Sequence, residues 1–152
     1  MGPARVHALA RAPRRAGAGR ADERADGGAR PLSDLPPFEL GYPRTELRRQ
    51  LVDAVLRGEK TATAGLAEDE EPVEAGDRFT LHDFDDEPVA VVEVTEARVI
   101  PAGEIDVQFA RDEGEGFESV DDWREAHERF FGRPIPDDLR ISAIRFRLVE
   151  RL

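Results

Sequence analysis

The chain has 152 residues and no cysteine; it has one tryptophan and one tyrosine, and Lys60 is the sole lysine among its 22 basic residues. Without cysteine there is no disulfide framework, thiolate zinc site, iron–sulfur cluster or cysteine nucleophile. No apolar run approaches the ~20 residues needed to cross a bilayer, so no membrane span is expected, and a soluble, cytoplasmic protein is the expectation. Walker, Rossmann and Gly-x-Ser-x-Gly patterns are missing as well. His82, Asp83, Asp85 and Asp86 cluster in sequence but fit no familiar ligand spacing, so neither a metal nor a bound cofactor is expected. A chain of this length buries about two thirds of its unfolded surface and can hold a core without either.

What is present is charge, unevenly spread. Residues 1–30 hold seven Arg against three acids, and 21 of the 30 are Ala, Gly or Arg. Such a composition has little bulky apolar surface to offset the entropy of ordering, so residues 1–33 are expected to be a disordered tail. Arg14 and Arg15 resemble a twin-arginine export signal, but no apolar stretch follows them. Residues 31–152 hold 15 basic and 30 acidic side chains, a net charge of −15. The folded domain is expected over 34–152.

Periodicity organises that domain. Thr45 stands where it can cap a helix whose Leu47, Leu51, Val52, Val55 and Leu56 recur at three- and four-residue spacing, and Gly58 is placed to stop it. Lys60–Gly65 is small and polar, and by itself does not read as core. Asp77–Phe84 alternates as a strand does, Asp85–Glu87 makes a turn, and Pro88 opens a longer strand through Ile100, giving a hairpin. Glu104–Asp112 reads as a short helix with Ile105, Phe109 and Val107 inward. Ser119 with Asp122 caps a further helix carrying Trp123, His127, Phe130 and Phe131 as far as Gly132. Ile144, Phe146 and Leu148 alternate with arginines in a closing strand. The sum is a small α+β domain built on a mainly antiparallel sheet or barrel.

Lys60 is the first candidate for chemistry. Arg stays charged at any useful pH, whereas a desolvated Lys can lose its proton and act as a base. Thr63 offers a hydroxyl nearby, yet residues i and i+3 of a straight strand point to opposite faces, so the two meet only where the chain bends or bulges. Asp112, Glu113, Glu115 and Glu118 form an acidic run whose plain reading is a solvated face. Trp123 and His127, at i and i+4, share one side of their helix and suit either stacking on a nucleobase or anchoring the helix to a core.

Four segments together resemble the ASCH domain family: Gly58-Glu59-Lys60-Thr61-Ala62-Thr63, then Gly76-Asp77 entering a strand, then Ala110–Gly116, and finally Trp123, His127, Phe130 and Phe131. The resemblance runs over roughly residues 38–150. It implies a PUA-like β-barrel flanked by helices, with a cleft for RNA or a nucleobase-containing ligand. In some relatives this cleft removes an acyl group from the exocyclic nitrogen of acetylated cytidine. Carried over position by position, the catalytic residues of those relatives fall on Lys60, Thr63 and Glu113. Thr61, Trp123 and His127 are the expected ligand contacts. Those enzymes often have Arg two places after the Thr, where this chain has Gly65, a departure that bears on substrate.

Charge ranks the alternatives. A net −15 surface repels a long polyanion and imposes no such penalty on a neutral nucleoside. An amidohydrolase acting on a small nucleoside-like substrate therefore stands first. A non-catalytic RNA-binding or ligand-sensing module follows, with Arg140, Arg145, Arg147 and Arg151 as its basic patch, and a ribonuclease comes third. The hydrolytic scheme requires Lys60 neutral, or Glu113 ionised, close to the Thr63 hydroxyl.

Overall fold

The computed structural model describes residues 34–41 and 44–152. The tail expected over residues 1–33 lies outside them. Four strands form one antiparallel sheet: β1 (Ala62–Leu66), β2 (Arg78–His82), β3 (Pro88–Pro101) and β4 (Arg140–Arg151), in the order β1-β4-β3-β2. Bulges between Val91 and Val92 and between Val94 and Glu96 interrupt the β3–β4 ladder. An extra residue on one strand bends it and adds twist, so the sheet curls into a half-barrel.

Register assigns the two faces. Along β4, Ile144 and Phe146 join a core with Phe38, Phe79, Val92 and Val94, while Ile141 and Ala143 join a second core with Ile100, Phe109 and Trp123. Alternation along a strand requires this split. Helix α1 (Glu46–Leu56) covers the first face through Leu51, Val52 and Val55. Thr45 occupies its N-cap position but makes no side-chain cap hydrogen bond. Arg48 of α1 reaches the β2–β3 turn, donating to Asp86 Oδ1 at 2.6 Å and to the Asp83 carbonyl at 3.2 Å.

Helices α2 (Val107–Asp112) and α3 (Val120–Phe131) cover the second face. The helix expected from Glu104 begins later, after a 3-10 turn at Ala102–Glu104. Asp106 Oδ1 accepts the Phe109 N–H at 2.9 Å and sets this start. Starting there turns Phe109 and Ala110 inward and leaves Val107 exposed, contrary to its expected inward place. Ser119 caps α3 by accepting the Asp122 N–H at 3.0 Å, and Gly132 ends it with φ +70°. Small size is what makes β1 core after all: Ala62 and Ala64 let Phe109, Ala110 and Trp123 approach the sheet, and all five residues of β1 are buried. No helix among the described residues is long and apolar enough to cross a membrane.

Candidate functional site

The C-terminal end of α2 docks on the chain entering β1. The Thr61 N–H donates to the Asp112 carbonyl at 2.8 Å, and the Thr61 carbonyl accepts the Phe146 N–H at 3.1 Å. Gly114, with φ +70°, lies so close that a β-carbon there would come within 2.6 Å of the Glu59 carbonyl oxygen and 2.7 Å of the Lys60 Cα. Only glycine meets both demands, a left-handed backbone and no side chain.

That docking encloses Lys60, whose side chain is 0% exposed. Its Nζ donates to the Ala62 carbonyl at 2.9 Å, to the Glu113 carbonyl at 3.1 Å and to Glu115 Oε2 at 3.4 Å. Three acceptors ask for three N–H groups, which an ammonium has and a neutral amine does not. Lys60 therefore stands as a buried cation, and the expectation of a neutral amine serving as base does not fit its surroundings.

Glu113, 1% exposed, closes the network from the other side. Its Oε2 accepts the Trp123 indole N–H at 2.6 Å, and its Oε1 lies 3.4 Å from His127 Nε2 and 3.9 Å from Lys60 Nζ. His127 Nδ1 sits 2.8 Å from the Trp123 carbonyl, which can only accept, so Nδ1 carries a proton. A neutral imidazole would then turn the Nε2 lone pair toward the Glu113 carboxylate; an imidazolium turns an N–H toward it. Burial alone would lower the His127 pKa, but Glu113, Glu115 and the Trp123 carbonyl outweigh it and raise it above the ordinary value of 6.5. Burial likewise pushes the Glu113 carboxyl up, and His127, Lys60 and the Trp123 indole together bring it below the ordinary 4.5.

Trp123 and His127 stack on one another with ring centres 4.5 Å apart and planes 23° from parallel. Phe117 and Phe131 meet the imidazole at 5.7 Å each. Both rings are buried, so of the two roles open to this pair the geometry displays the core anchor. Thr61 is half-buried beside Lys60. Thr63 is buried and pairs with Ile144, on the face that α1 covers. Ala62 and Ala64 flank it and face α2 and α3. The structure thus brings Lys60, Glu113, Trp123 and His127 together and sets Thr63 on the opposite face, because no bulge interrupts β1. On that face a β-carbon at Gly65 would come within 2.6 Å of Glu70 Oε2. The Glu70 carboxylate occupies the space beside Gly65.

Sequence reading passed over Glu115. It lies on the loop between α2 and α3, flanked by Gly114 (φ +70°) and Gly116 (φ +90°), and its side chain is 22% exposed. Burial pushes its carboxyl up, Lys60 pulls it down, and Glu113 pushes it up again; the net result lies above the ordinary 4.5. The signal available in the sequence was the Gly-Glu-Gly pattern, an acid between two residues suited to positive φ. Among the described residues no group of three or more His, Asp or Glu side chains is placed to hold a metal ion.

A curled antiparallel sheet with helices on both faces defines a PUA-like α+β domain. The chain belongs to the ASCH domain family, whose profile matches residues 40–150. A crystal structure of a protein from Enterococcus faecalis, assigned to the family DUF984, superposes with a TM-score of 0.68 at 22% identity, covering 87% of this chain and 85% of that one. An ASCH domain from Lactobacillus crispatus superposes with a TM-score of 0.65 at 23% identity, covering 86% of this chain and 91% of that one. At such identities the likeness is one of fold. Among curated proteins none matches the chain.

Proposed function

We propose that this ASCH domain hydrolyses an amide on a small nucleoside-like molecule, at the cluster formed by Lys60, Glu113 and Glu115. The observation that carries the reading is the Lys60 ammonium, held by two backbone carbonyls and by one carboxylate that reaches solvent. A cation fixed in a water-poor enclosure is suited to balancing the negative charge that develops on a carbonyl oxygen during acyl transfer. Of its three N–H groups, only the one toward Glu115 is not held by a backbone carbonyl, and that one meets the member of the network that reaches solvent. Glu113, Trp123 and His127 act from behind by fixing the position and charge of Lys60. Thr61, half-buried beside Lys60, serves as a ligand contact in this reading. Thr63, expected as the nucleophile, lies beside Ile144 on the other face of β1, and water takes that part in this reading.

Charge supports a small substrate over a long nucleic acid. Residues 31–152 carry 15 basic and 30 acidic side chains. Two of the four last-strand arginines are paired with carboxylates: Arg145 lies 2.7 Å from Asp112 and 3.6 Å from Glu96, and Arg147 lies 2.7 Å from Glu93. Phosphate binding at these arginines would have to displace the carboxylates first.

The test is incubation of purified protein with N4-acetylcytidine, with cytidine and acetate followed by chromatography. Release of both in amounts exceeding the protein is expected. Failure to convert this and related N-acyl nucleosides, together with salt-sensitive binding of RNA, would replace the hydrolase by the RNA-binding alternative.

A further inference from the structure

We propose that Glu115 is a catalytic residue of this site, the carboxylate that takes a proton from the attacking water and delivers it to the leaving nitrogen. The proposal rests on the hydrolytic reading above and adds to it the group that moves the proton. Each of the other charged members is committed elsewhere. Lys60 is enclosed by its three acceptors. Glu113 has one oxygen on the Trp123 indole and the other facing His127 and Lys60. His127 holds the Trp123 carbonyl with one nitrogen and faces Glu113 with the other. A group that exchanges protons with substrate has to reach it, and these three are buried.

Glu115 differs in every respect. Its Oε2 rests on Lys60, its side chain reaches solvent, and among the described residues no partner holds its Oε1. Its loop is anchored on one side and open on the other: Gly114 is pressed against Glu59 and Lys60, while a β-carbon at Gly116 would meet nothing within 4 Å.

The step balances as follows. The water oxygen forms a bond to the acyl carbon and one water proton passes to the Glu115 carboxylate. The oxyanion so formed lies beside the Lys60 N–H that Glu115, now neutral, holds less strongly. Collapse of this intermediate breaks the C–N bond, the electron pair stays on nitrogen, and Glu115 returns the proton there. The acyl group leaves as a carboxylic acid that ionises in solvent, and Glu115 is again a carboxylate. A raised carboxyl pKa suits a group that must alternate between acid and base.

The experiment compares wild type, Glu115→Gln and Glu115→Asp with N4-acetylcytidine over a range of pH, alongside thermal melts of the full chain. Glu115→Gln is expected to melt near wild type, to bind substrate with little change in KM, and to lose about 10²–10⁴-fold in kcat, the usual worth of a positioned acid–base group. It should also lose the limb of the pH profile that Glu115 supplies, and Glu115→Asp should recover part of the rate with that limb restored. Turnover by Glu115→Gln within a few-fold of wild type, with an unchanged profile, overturns the role of Glu115 and leaves the hydrolase standing. Inactive wild type overturns both together.

Discussion

The Trp123 indole donates to Glu113 at 2.6 Å, joining the first turn of α3 to the residue that ends α2, with both side chains buried. A neutral donor aimed at a carboxylate makes one of the stronger hydrogen bonds, and here the same carboxylate also faces Lys60 and His127 in the interior. Through this contact α3, α2 and the chain entering β1 are held as one unit, so the site and the second core stand or fall together.

Removing the anion should therefore be costly. Glu113→Ala leaves Lys60 and His127 without the buried carboxylate that both face, and breaking a buried pair in this way costs about 3–5 kcal/mol. Trp123→Phe keeps most of the ring but loses the hydrogen bond to the carboxylate, worth about 1.5–3 kcal/mol. Urea denaturation of the two variants should rank them in that order. A Glu113→Ala loss no larger than that of Glu118→Ala would contradict the account of the network.

Stability should depend on pH in opposite senses at the two ends of the range. His127 is a base whose folded pKa is raised, so its contribution is full below 6.5 and fades as pH rises through the folded value. Glu113 is an acid whose folded pKa is lowered, so its contribution is full above 4.5 and fades as pH falls through the folded value. Glu115 is an acid with a raised pKa, so its ionisation in the folded state removes stability as pH climbs above 4.5. Maximum stability is expected on the weakly acidic side. Melting temperatures across pH should show this, with the alkaline decline flattened in His127→Gln; imidazole chemical shifts should give a His127 midpoint above 6.5. A midpoint at or below that value would mean the ion pair does not form.

The two glycines around Glu115 should respond differently to a methyl group. Gly114→Ala meets both a positive φ and backbone atoms within 2.7 Å, and Gly116→Ala meets a positive φ in open space. The latter should cost about 1–2 kcal/mol, the expense of a left-handed alanine. The former should exceed it clearly, since backbone at Glu59 and Lys60 would have to move. Equal denaturation midpoints for the two variants would show that α2 does not press on β1 as described.

Much of this was legible in the sequence because it is local. Helix α1, the β2–β3 hairpin, α3 with its Ser119 cap and Gly132 stop, and the closing strand all follow from apolar period and terminal residues within short windows. The start of α2 was misplaced for the same reason: the cap at Asp106 won over the apolar pattern beginning two residues earlier. The family was legible from four short segments in order, and the scarcity of lysine alone was enough to single out Lys60.

Tertiary structure decided what the site contains. That Lys60 meets a carbonyl 53 positions later depends on α2 docking against β1, a contact between elements that no local window contains. The opposite facing of Lys60 and Thr63 needed only strand parity, but whether a bulge would cancel it depended on the ladder with β4. Whether Glu113 or Glu115 is the buried anion could not be read from a run of acids, because burial belongs to the packed helices around a side chain and not to its identity. Sequence supplied the elements and the residue types; the long-range pairing of those elements set which charges are enclosed and which one remains open to solvent.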